Sequence, residues 1–465
     1  MSSLNYDVII VGAGPAGIFA ALELCKNRDL KILMLEKGKD IRNRNCPIKG
    51  DGANCLDCSP CSIVSGWGGA GAFSDGKITL TAEFGGFLKE YMDNEKVENL
   101  IKYVDETFVF FGGDRQVYGG DAEAVRKIQK EATAADLFLI PARVRHLGTE
   151  NCYKILCKMR DYLDSRVEII SGEAVEKLLV NEGKVIGVKT IKERSFFAPY
   201  LVCAPGREGA EWIYSEAQRL KLSGVNNPVD IGVRVELPSV VLEHITESVY
   251  ESKLIYYSSS FDDRIRTFCM NPYGEVVIEN NDGLITVNGH SYAEQKTENT
   301  NFALLVSKTF TEPFKEPISY GKYIATLANM LGGGVIIQRL GDLLVGRRST
   351  PERISRGMVR PTLRDATPGD LSLVLPYRHL VSILEMMQAL DKIAPGVYSR
   401  HTLLYGVEVK FYSYRLFIKS NLETEITNMF AIGDGAGITR GLAQASASGV
   451  VAAREILKKL EITSI

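Results

Sequence analysis

The sequence predicts an α/β protein with a doubly wound, Rossmann-like domain and an inserted α+β domain. Three observations lead to this fold class. The first 45 residues follow the order strand, glycine turn, helix and strand, which is one βαβ unit. The last 60 residues return to a strand, a glycine turn and a helix of small residues. The stretch from about 225 to 395 mixes strands and helices and lacks such turns.

Each element has its own signal in the sequence. Residues 6–11 form a continuous β-rich run, as expected of a strand buried on both faces. Residues 18–26 carry good helix formers, and residues 31–35 read as the second buried strand. The remaining predicted elements are a mostly helical stretch at 95–165, strands at 167–170, 175–180, 185–191, 200–204, 230–236, 275–279, 284–288 and 429–432, and helices at 380–393 and about 442–460. The predicted domain segments are 1–222 and 396–465 for the Rossmann-like domain and 223–395 for the insertion.

Composition excludes several classes of protein. The 465 residues include 55 Lys and Arg against 57 Asp and Glu, a formal charge of −2, so no nucleic-acid partner is expected. No apolar run approaches the ~18 residues that a membrane-spanning helix needs. The N-terminal residues lack the basic stretch and apolar core of a signal peptide, so the sequence predicts a cytoplasmic protein.

The first glycine turn has the spacing of a nucleotide-binding motif. Gly12, Gly14 and Gly17 fit G-x-G-x-x-G between a strand and a helix. In such a turn, the glycines permit a tight bend, close approach of a diphosphate and close packing of helix on strand. Glu36 ends the next strand, 19 residues past Gly17, where a carboxylate accepts hydrogen bonds from ribose hydroxyls. Together, these signals predict nucleotide binding, with the diphosphate at the helix N-terminus.

Two further segments indicate which nucleotide is bound. The run from Ala431 to Gly437 (AIGDGAG) resembles the second fingerprint of the glutathione-reductase-type flavoproteins. The run from Tyr200 to Gly206 (YLVCAPG) resembles the strand that these proteins place under the FAD diphosphate. The resemblance implies FAD, with Asp434 on the ribityl chain or phosphate and the final helix near the flavin ring. It implies these cofactor-binding residues: Gly12, Gly14, Pro15, Ala16, Gly17, Glu36, Lys37, Gly71, Ser74, Val175, Ala204, Gly206, Gly433, Asp434, Gly441, Leu442 and Ala443.

A glycine-rich loop extends the resemblance over most of the chain. Residues 66–77 (GWGGAGAFSDGK) hold five glycines, which let a backbone pass close to a flat ligand. With residues 230–234, 268–277 and 433–441, they resemble a family of bacterial and archaeal FAD-dependent dehydrogenases that share no agreed substrate. Residues 220–395 contain no second nucleotide-binding turn. Electrons are therefore expected from transiently bound NAD(P)H, from the substrate or from an electron-carrier protein.

Four cysteines cluster within 16 residues: Cys46, Cys55, Cys58 and Cys61. The C-x₂-C-x₂-C spacing resembles Fe–S ligation, although the Cys-Pro that usually follows is missing. Four thiolates equally suit Zn²⁺. Two other interpretations of the cluster remain. Cys58 and Cys61 form a redox-active pair, or the thiols have no chemical role.

The sequence does not identify a catalytic residue. The candidates weighed are His290, Cys269, Glu275, Glu408, and Arg339 with the Arg347–Arg348 pair, which has the chemistry to hold a carboxylate. The predicted function is hydride transfer between FAD and a small organic substrate. One alternative is a flavin monooxygenase of the hydroxylase type. Another is a flavin-bound redox sensor or tether that uses the Cys46–Cys61 cluster.

Overall fold

The computed structural model describes residues 6–46, 58–281, 283–292, 296–310, 313–314, 316–412 and 414–463. The strands are β1 Val8–Val11, β2 Ile32–Glu36, β3 Lys77–Thr79, β4 Phe138–Ile140, β5 Val144–His146, β6 Glu168–Ser171, β7 Val175–Asn181, β8 Lys184–Thr190, β9 Ser195–Phe197, β10 Tyr200–Cys203, β11 Gly224–Val225, β12 Val229–Pro238, β13 Lys253–Tyr257, β14 Arg264–Asn271, β15 Glu275–Asn281, β16 Leu284–His290, β17 Asn299–Lys308, β18 Ile336–Arg339, β19 Thr367–Pro368, β20 Leu403–Lys410, β21 Arg415–Leu416 and β22 Met429–Ala431. The helices are α1 Pro15–Leu24, α2 Asn94–Phe110, α3 Ala122–Ala134, α4 Thr149–Asp164, α5 Ala210–Leu220, α6 Glu243–Val249, α7 Pro317–Gly332, α8 Leu340–Leu343, α9 Pro351–Ser355, α10 Tyr377–Ile393 and α11 Leu442–Thr463.

The chain divides into two compact units. The first comprises residues 1–115, 145–227 and 412–465, and the second comprises residues 116–144 and 228–411. The predicted boundaries were 223 and 396, and residues 116–144 were assigned to the other domain. The difference has a physical cause, because β4 pairs with β13 in the large sheet of the second unit and β20 extends that sheet to Lys410.

A parallel sheet in the order β22-β10-β1-β2-β6 forms the centre of the first unit. Its central strands are fully buried, which explains their uninterrupted apolar sequences; helix α1 packs on β1, β2 and β10, and strand β8 also contacts β10. Helix α1 packs against α11 at Gly449, where an added Cβ would lie 2.1 Å from the carbonyl oxygen of Ala16. A small antiparallel sheet, β7-β8-β9, belongs to the same unit.

An eight-stranded sheet in the order β19-β18-β20-β12-β17-β14-β13-β4 forms the second unit. Its strand pairs are antiparallel except for β18 with β19. In β12, the residues alternate strictly: Val233 and Val235 enter the hydrophobic core, whereas Arg234 and Glu236 lie on the opposite face. The fold class predicted from the sequence is therefore observed. None of the described helices combines the length and apolar character required to traverse a lipid bilayer.

Candidate functional site

Three glycine turns meet at one edge of the parallel sheet. Strands β22, β10, β1 and β2 are neighbours and run parallel, so their carboxyl ends lie along the same edge. Gly12 follows β1, Gly206 lies beyond β10 and Gly433 lies beyond β22. Distant parts of the sequence thus form one continuous rim, with about 14 Å between β2 and β22 across three strand spacings.

In the first glycine turn, close packing leaves no room for a side chain at two of the glycines, whereas there is open space around the third. Gly12 has φ +99°, and an added Cβ would lie 2.1 Å from the carbonyl oxygen of Ala204. A Cβ on Gly17 would lie 2.0 Å from the Gly12 carbonyl oxygen. By contrast, no described atom lies within 4 Å of a Cβ built on Gly14, the N-cap of α1. Pro15 lies in the first turn of helix α1, and this helical turn holds no acidic residue. The N-terminus of the helix is therefore suited to bind an anion.

The distant turns contact the first one directly. A Cβ on Gly433, which has φ +73°, would lie 2.9 Å from the Cβ of Ala16. A Cβ on Gly435 would lie 2.6 Å from the Gly206 carbonyl oxygen, whereas a Cβ on Gly206 itself would meet no described atom within 4 Å. Between these closely packed turns, space is left at Gly14 and at Gly206, and we refer to the space along this part of the rim as the groove.

Glu36 joins three backbone segments at the β2 end of this groove. Its side chain is buried, and it accepts hydrogen bonds from the backbone N–H groups of Ala13 (2.8 Å), Gly38 (2.8 Å) and Gly66 (3.0 Å). The segment before β7 adjoins this strand end, since the N–H of Glu173 donates to the Glu36 carbonyl and that of Gly172 to the Gly38 carbonyl. Val175 begins β7 just beyond, and Lys37 forms an ion pair with Glu208.

A buried arginine organises the glycine-rich loop. Arg44 is 2% exposed and donates to the carbonyl oxygens of Ser62, Ile63, Trp67 and Gly69 at 2.6–2.9 Å. Burial without a hydrogen-bonded carboxylate lowers the pKa of Arg44 to about 10. The side chain stays charged at neutral pH. The sequence reasoning missed this residue because an isolated arginine in an irregular stretch has no periodic signal.

The loop borders both the first turn and the start of α11. A Cβ on Gly69 would lie 3.2 Å from Cα of Gly14, and a Cβ on Gly71 would lie 2.8 Å from Cδ2 of Leu442. Ser74 donates its hydroxyl to the Gly71 carbonyl at 2.9 Å, so in this structure it stabilises the loop. Gly441 and the buried Ala443 lie at the N-terminal end of the same helix. The predicted site residues of the first unit are thus brought together around the groove.

Two charged side chains face each other beyond β10 and β22. The Asp434 carboxylate accepts a hydrogen bond from the Thr439 hydroxyl at 2.6 Å. Its other oxygen lies 3.8 Å from Nε of Arg207, which is too long for a hydrogen bond. The Arg207 side chain is 50% exposed. Sequence reasoning named Asp434 but overlooked Arg207.

The predicted metal cluster is only partly described. Cys46, Cys58 and Cys61 are free thiols, and Cys58 is exposed. Cys55 lies outside the described residues. In the part of the chain that the structure describes, no group of three or more His, Cys, Asp or Glu side chains is placed to hold a metal ion. A four-cysteine site stays a prediction.

In the second unit, two of the weighed candidates, Cys269 and Glu408, meet at Arg234, which the sequence analysis did not single out. Arg234 and Glu408 are fully buried and form a two-point ion pair at 2.7 and 2.9 Å. Arg234 also donates to the Asn301 side-chain oxygen (2.7 Å) and the Cys269 carbonyl (3.1 Å). Lys410 extends the network to Glu408 at 3.3 Å. Burial alone would lower the pKa of Arg234, but the Glu408 carboxylate raises it above its usual value, so the guanidinium stays protonated.

The other catalytic candidates are held in different contacts. Arg339 and Arg347 both bond the buried carboxylate of Asp342, at 3.2 and 2.8 Å, so they do not form a free carboxylate-binding pair. Arg348 is exposed. His290 ends β16 in register with Glu275 on β15. Geometry therefore selects none of them as a substrate-binding group.

Comparisons with known proteins agree with the cofactor. Residues 228–411 match the protein family described as "FAD-dependent protein, C-terminal domain-like". A Clostridium beijerinckii protein, known only as an uncharacterized protein, is 26% identical over 486 aligned residues, which cover 98% of this chain and 81% of the relative.

Two solved structures are remotely similar over nearly the whole chain. One is a geranylgeranyl bacteriochlorophyll reductase-like protein from Thermoplasma acidophilum, with TM-score 0.44, 12% identity, and coverage of 99% of this chain and 80% of that one. The other is L-proline dehydrogenase from P. horikoshii, with TM-score 0.42, 12% identity, and coverage of 98% and 94%. Likeness at these values carries no argument about the reaction or substrate.

Proposed function

We propose that this chain is an FAD-dependent oxidoreductase that transfers a hydride between FAD and a small organic substrate. The match of residues 228–411 to the family described as "FAD-dependent protein, C-terminal domain-like" supports the cofactor. The observation that carries the proposal is the single groove formed by the turns at Gly12, Gly206 and Gly433, with Glu36 at one end. The turns come from three distant segments of the chain and leave space at two glycines, Gly14 and Gly206. Such an arrangement suits an extended dinucleotide.

The residues present fit FAD. In the proposed arrangement, Glu36 and Lys37 take the adenosine end, because Glu36 ends β2 as a ribose-binding carboxylate should. The open N-terminus of α1 at Gly14 takes the diphosphate. Asp434 takes the ribityl chain, and the loop containing Gly71 takes the flavin ring beside Leu442. Bound flavin supplies the hydride acceptor or donor; the protein orients it and excludes water.

We assign substrate handling to the second unit, on the polar face of its large sheet. Arg234 and Glu408 have no exposed side-chain surface, so they position neighbouring groups instead of touching the substrate. Half-buried Arg266 and Lys253 flank the ring of Phe268 at 4.8 and 5.0 Å. An aromatic ring flanked by cations suits a small molecule with a polar or anionic group. Both cations are already paired, Arg266 with Asp230 and Lys253 with Glu251, which limits how strongly they attract anions.

Anaerobic reduction of the purified yellow protein tests the proposal. NADH, NADPH, dithionite and a panel of metabolites are compared by the loss of flavin absorbance. We expect stoichiometric FAD and rapid bleaching by at least one organic reductant, with NAD(P)H acting only as a transient donor. Protein that binds no FAD would contradict the proposal.

The same experiment separates the alternatives. Fast NADPH consumption coupled to O₂ uptake would favour the monooxygenase. Flavin that only dithionite reduces, combined with a change in oligomeric state on thiol oxidation, would favour a redox sensor. Metal analysis of the full-length protein tests whether the four cysteines hold iron or zinc.

A further inference from the structure

Arg207 lies just beyond β10, one of the strands whose ends form the rim of the groove. It follows Gly206 beyond β10, the strand that lies between β1 and β22 in the sheet. The open position at Gly206 and the open N-cap of α1 at Gly14 border the same groove. A molecule that extends from Glu36 to Asp434 must therefore pass the Arg207 backbone.

The Arg207 guanidinium is available for a ligand. Its side chain is half exposed, and it makes no hydrogen bond to any residue that the structure describes; the Asp434 carboxylate, at 3.8 Å, is its ion-pair partner. Lys37 differs because it is already paired with Glu208. Helix α1 contains no Lys or Arg, so its N–H groups alone would otherwise face the phosphates.

We propose that Arg207 is the counter-ion of the FAD diphosphate and makes the site selective for a two-phosphate cofactor. The inference rests on the proposed function, since it presupposes bound FAD. A diphosphate introduces two negative charges beside the carboxylates of Glu36 and Asp434, and an opposing cation offsets this repulsion. A guanidinium can donate two parallel hydrogen bonds to phosphate oxygens, which its long contact with Asp434 does not provide. Leaving Asp434 also frees that carboxylate for the ribityl hydroxyls.

Titration of full-length apoprotein with FAD, FMN and ADP tests the assignment. Calorimetry gives the dissociation constants for the wild type, Arg207→Met, Arg207→Lys and a matched control, Arg42→Met. Arg42 is an exposed arginine of the same unit, paired with Asp161. We expect Arg207→Met to weaken both FAD and ADP about ten- to hundredfold, with Arg207→Lys intermediate. Arg42→Met should stay within about twofold, and the salt dependence of FAD binding should become shallower in Arg207→Met.

Each other outcome overturns a definite claim. Unchanged FAD affinity in Arg207→Met, with wild-type apoprotein binding FAD normally, rules out the diphosphate contact. Weakened FAD binding with unchanged ADP binding places Arg207 against the flavin half and also overturns the inference. Wild-type apoprotein that fails to bind FAD refutes the proposed function itself. Unfolding curves of each apoprotein verify that the variants are folded, and Arg207→Lys decides the question if the methionine variant is not.

Discussion

Arg44 shows how one buried charge can fix a loop that has no regular secondary structure. Its guanidinium satisfies four backbone carbonyl oxygens that water would otherwise have to reach. The loop that it holds contacts Gly14 and Leu442, so the arginine shapes the cofactor groove without lining it. Its isolated position in the sequence gave no indication of this role.

Replacing Arg44 with lysine should destabilise the protein although the charge is kept. A lysine ammonium cannot reproduce the planar fork that reaches four carbonyls, so at least two would be left unsatisfied. We expect the free energy of unfolding to fall by about 2–4 kcal/mol, measured by urea denaturation of the apoprotein. Arg42→Lys, at an exposed ion pair two residues away, should change it by less than about 0.5 kcal/mol. Equal effects of the two variants would refute the role given to Arg44.

At the scale of elements, helix α10 carries a buried polar cluster. His379 is 2% exposed, and neither ring nitrogen has a hydrogen-bond partner among the described residues; the same holds for the Ser382 hydroxyl one turn later. The pKa of His379 is lowered to about 4, mainly by burial; Lys308 and Arg378 act in the same direction and Asp263 acts in the opposite one. The native state therefore favours the neutral imidazole.

This depressed pKa predicts acid sensitivity of the fold. The unfolded chain binds a proton at His379 below pH 6.5, whereas the folded chain does so only below about pH 4. The free energy of unfolding therefore falls by about 3 kcal/mol, through this group alone, as the pH is lowered from 6.5 to 4. Urea unfolding between pH 4 and 7.5 measures the loss. His379→Leu should remove this share of the pH dependence, and His244→Asn, which retains His379, should keep it. A pH slope unchanged in His379→Leu would contradict the prediction.

The contact between α1 and α11 depends on a glycine. An added Cβ on Gly449 would lie 2.1 Å from the Ala16 carbonyl oxygen, a distance at which backbone atoms must move. Gly449→Ala should therefore force the helices apart and lower the free energy of unfolding by about 1–3 kcal/mol. It should also weaken FAD binding, because Ala16 belongs to the first glycine turn.

Gly120→Ala provides the matched control for that measurement. Its Cβ would meet no described atom within 4 Å, and its φ is not in the left-handed region. We expect a change below about 0.5 kcal/mol in urea unfolding. If both alanine variants were equally stable, α11 would tolerate a wider separation from α1 than the structure indicates.

At the scale of the whole molecule, the cofactor and the fold should stabilise each other. FAD would bind turns from three separate segments, none of which forms the groove in the unfolded chain. Free FAD at one hundred times its dissociation constant should therefore raise the free energy of unfolding by about 2.7 kcal/mol. Urea unfolding of the apoprotein with added FAD measures this shift, and FMN at the same concentration should produce a smaller one. Absence of any shift with FAD would contradict cofactor binding in this groove.

The sequence by itself determined the first unit in detail. Uninterrupted apolar strands and glycine turns are local signals, so β1, α1, β2, β10 and α11 were predicted within a few residues of their observed bounds. The FAD cofactor was also predicted, and the match of residues 228–411 to a family of FAD-dependent proteins agrees with it. The assignment of residues 116–144 to the second unit was not predicted, because the pairing of β4 with β13 joins residues more than 100 positions apart.

Only the tertiary structure decided which charged residues act together. The alternation in β12 signals a polar face, but nothing local indicates that Arg234 meets Glu408 across the sheet. Likewise, the contacts of Arg44 and the placement of Arg207 between two glycine turns depend on chain segments that the sequence separates. Backbone conformation is set largely by neighbouring residues, whereas ion pairing and burial are set by whatever the fold brings close in space.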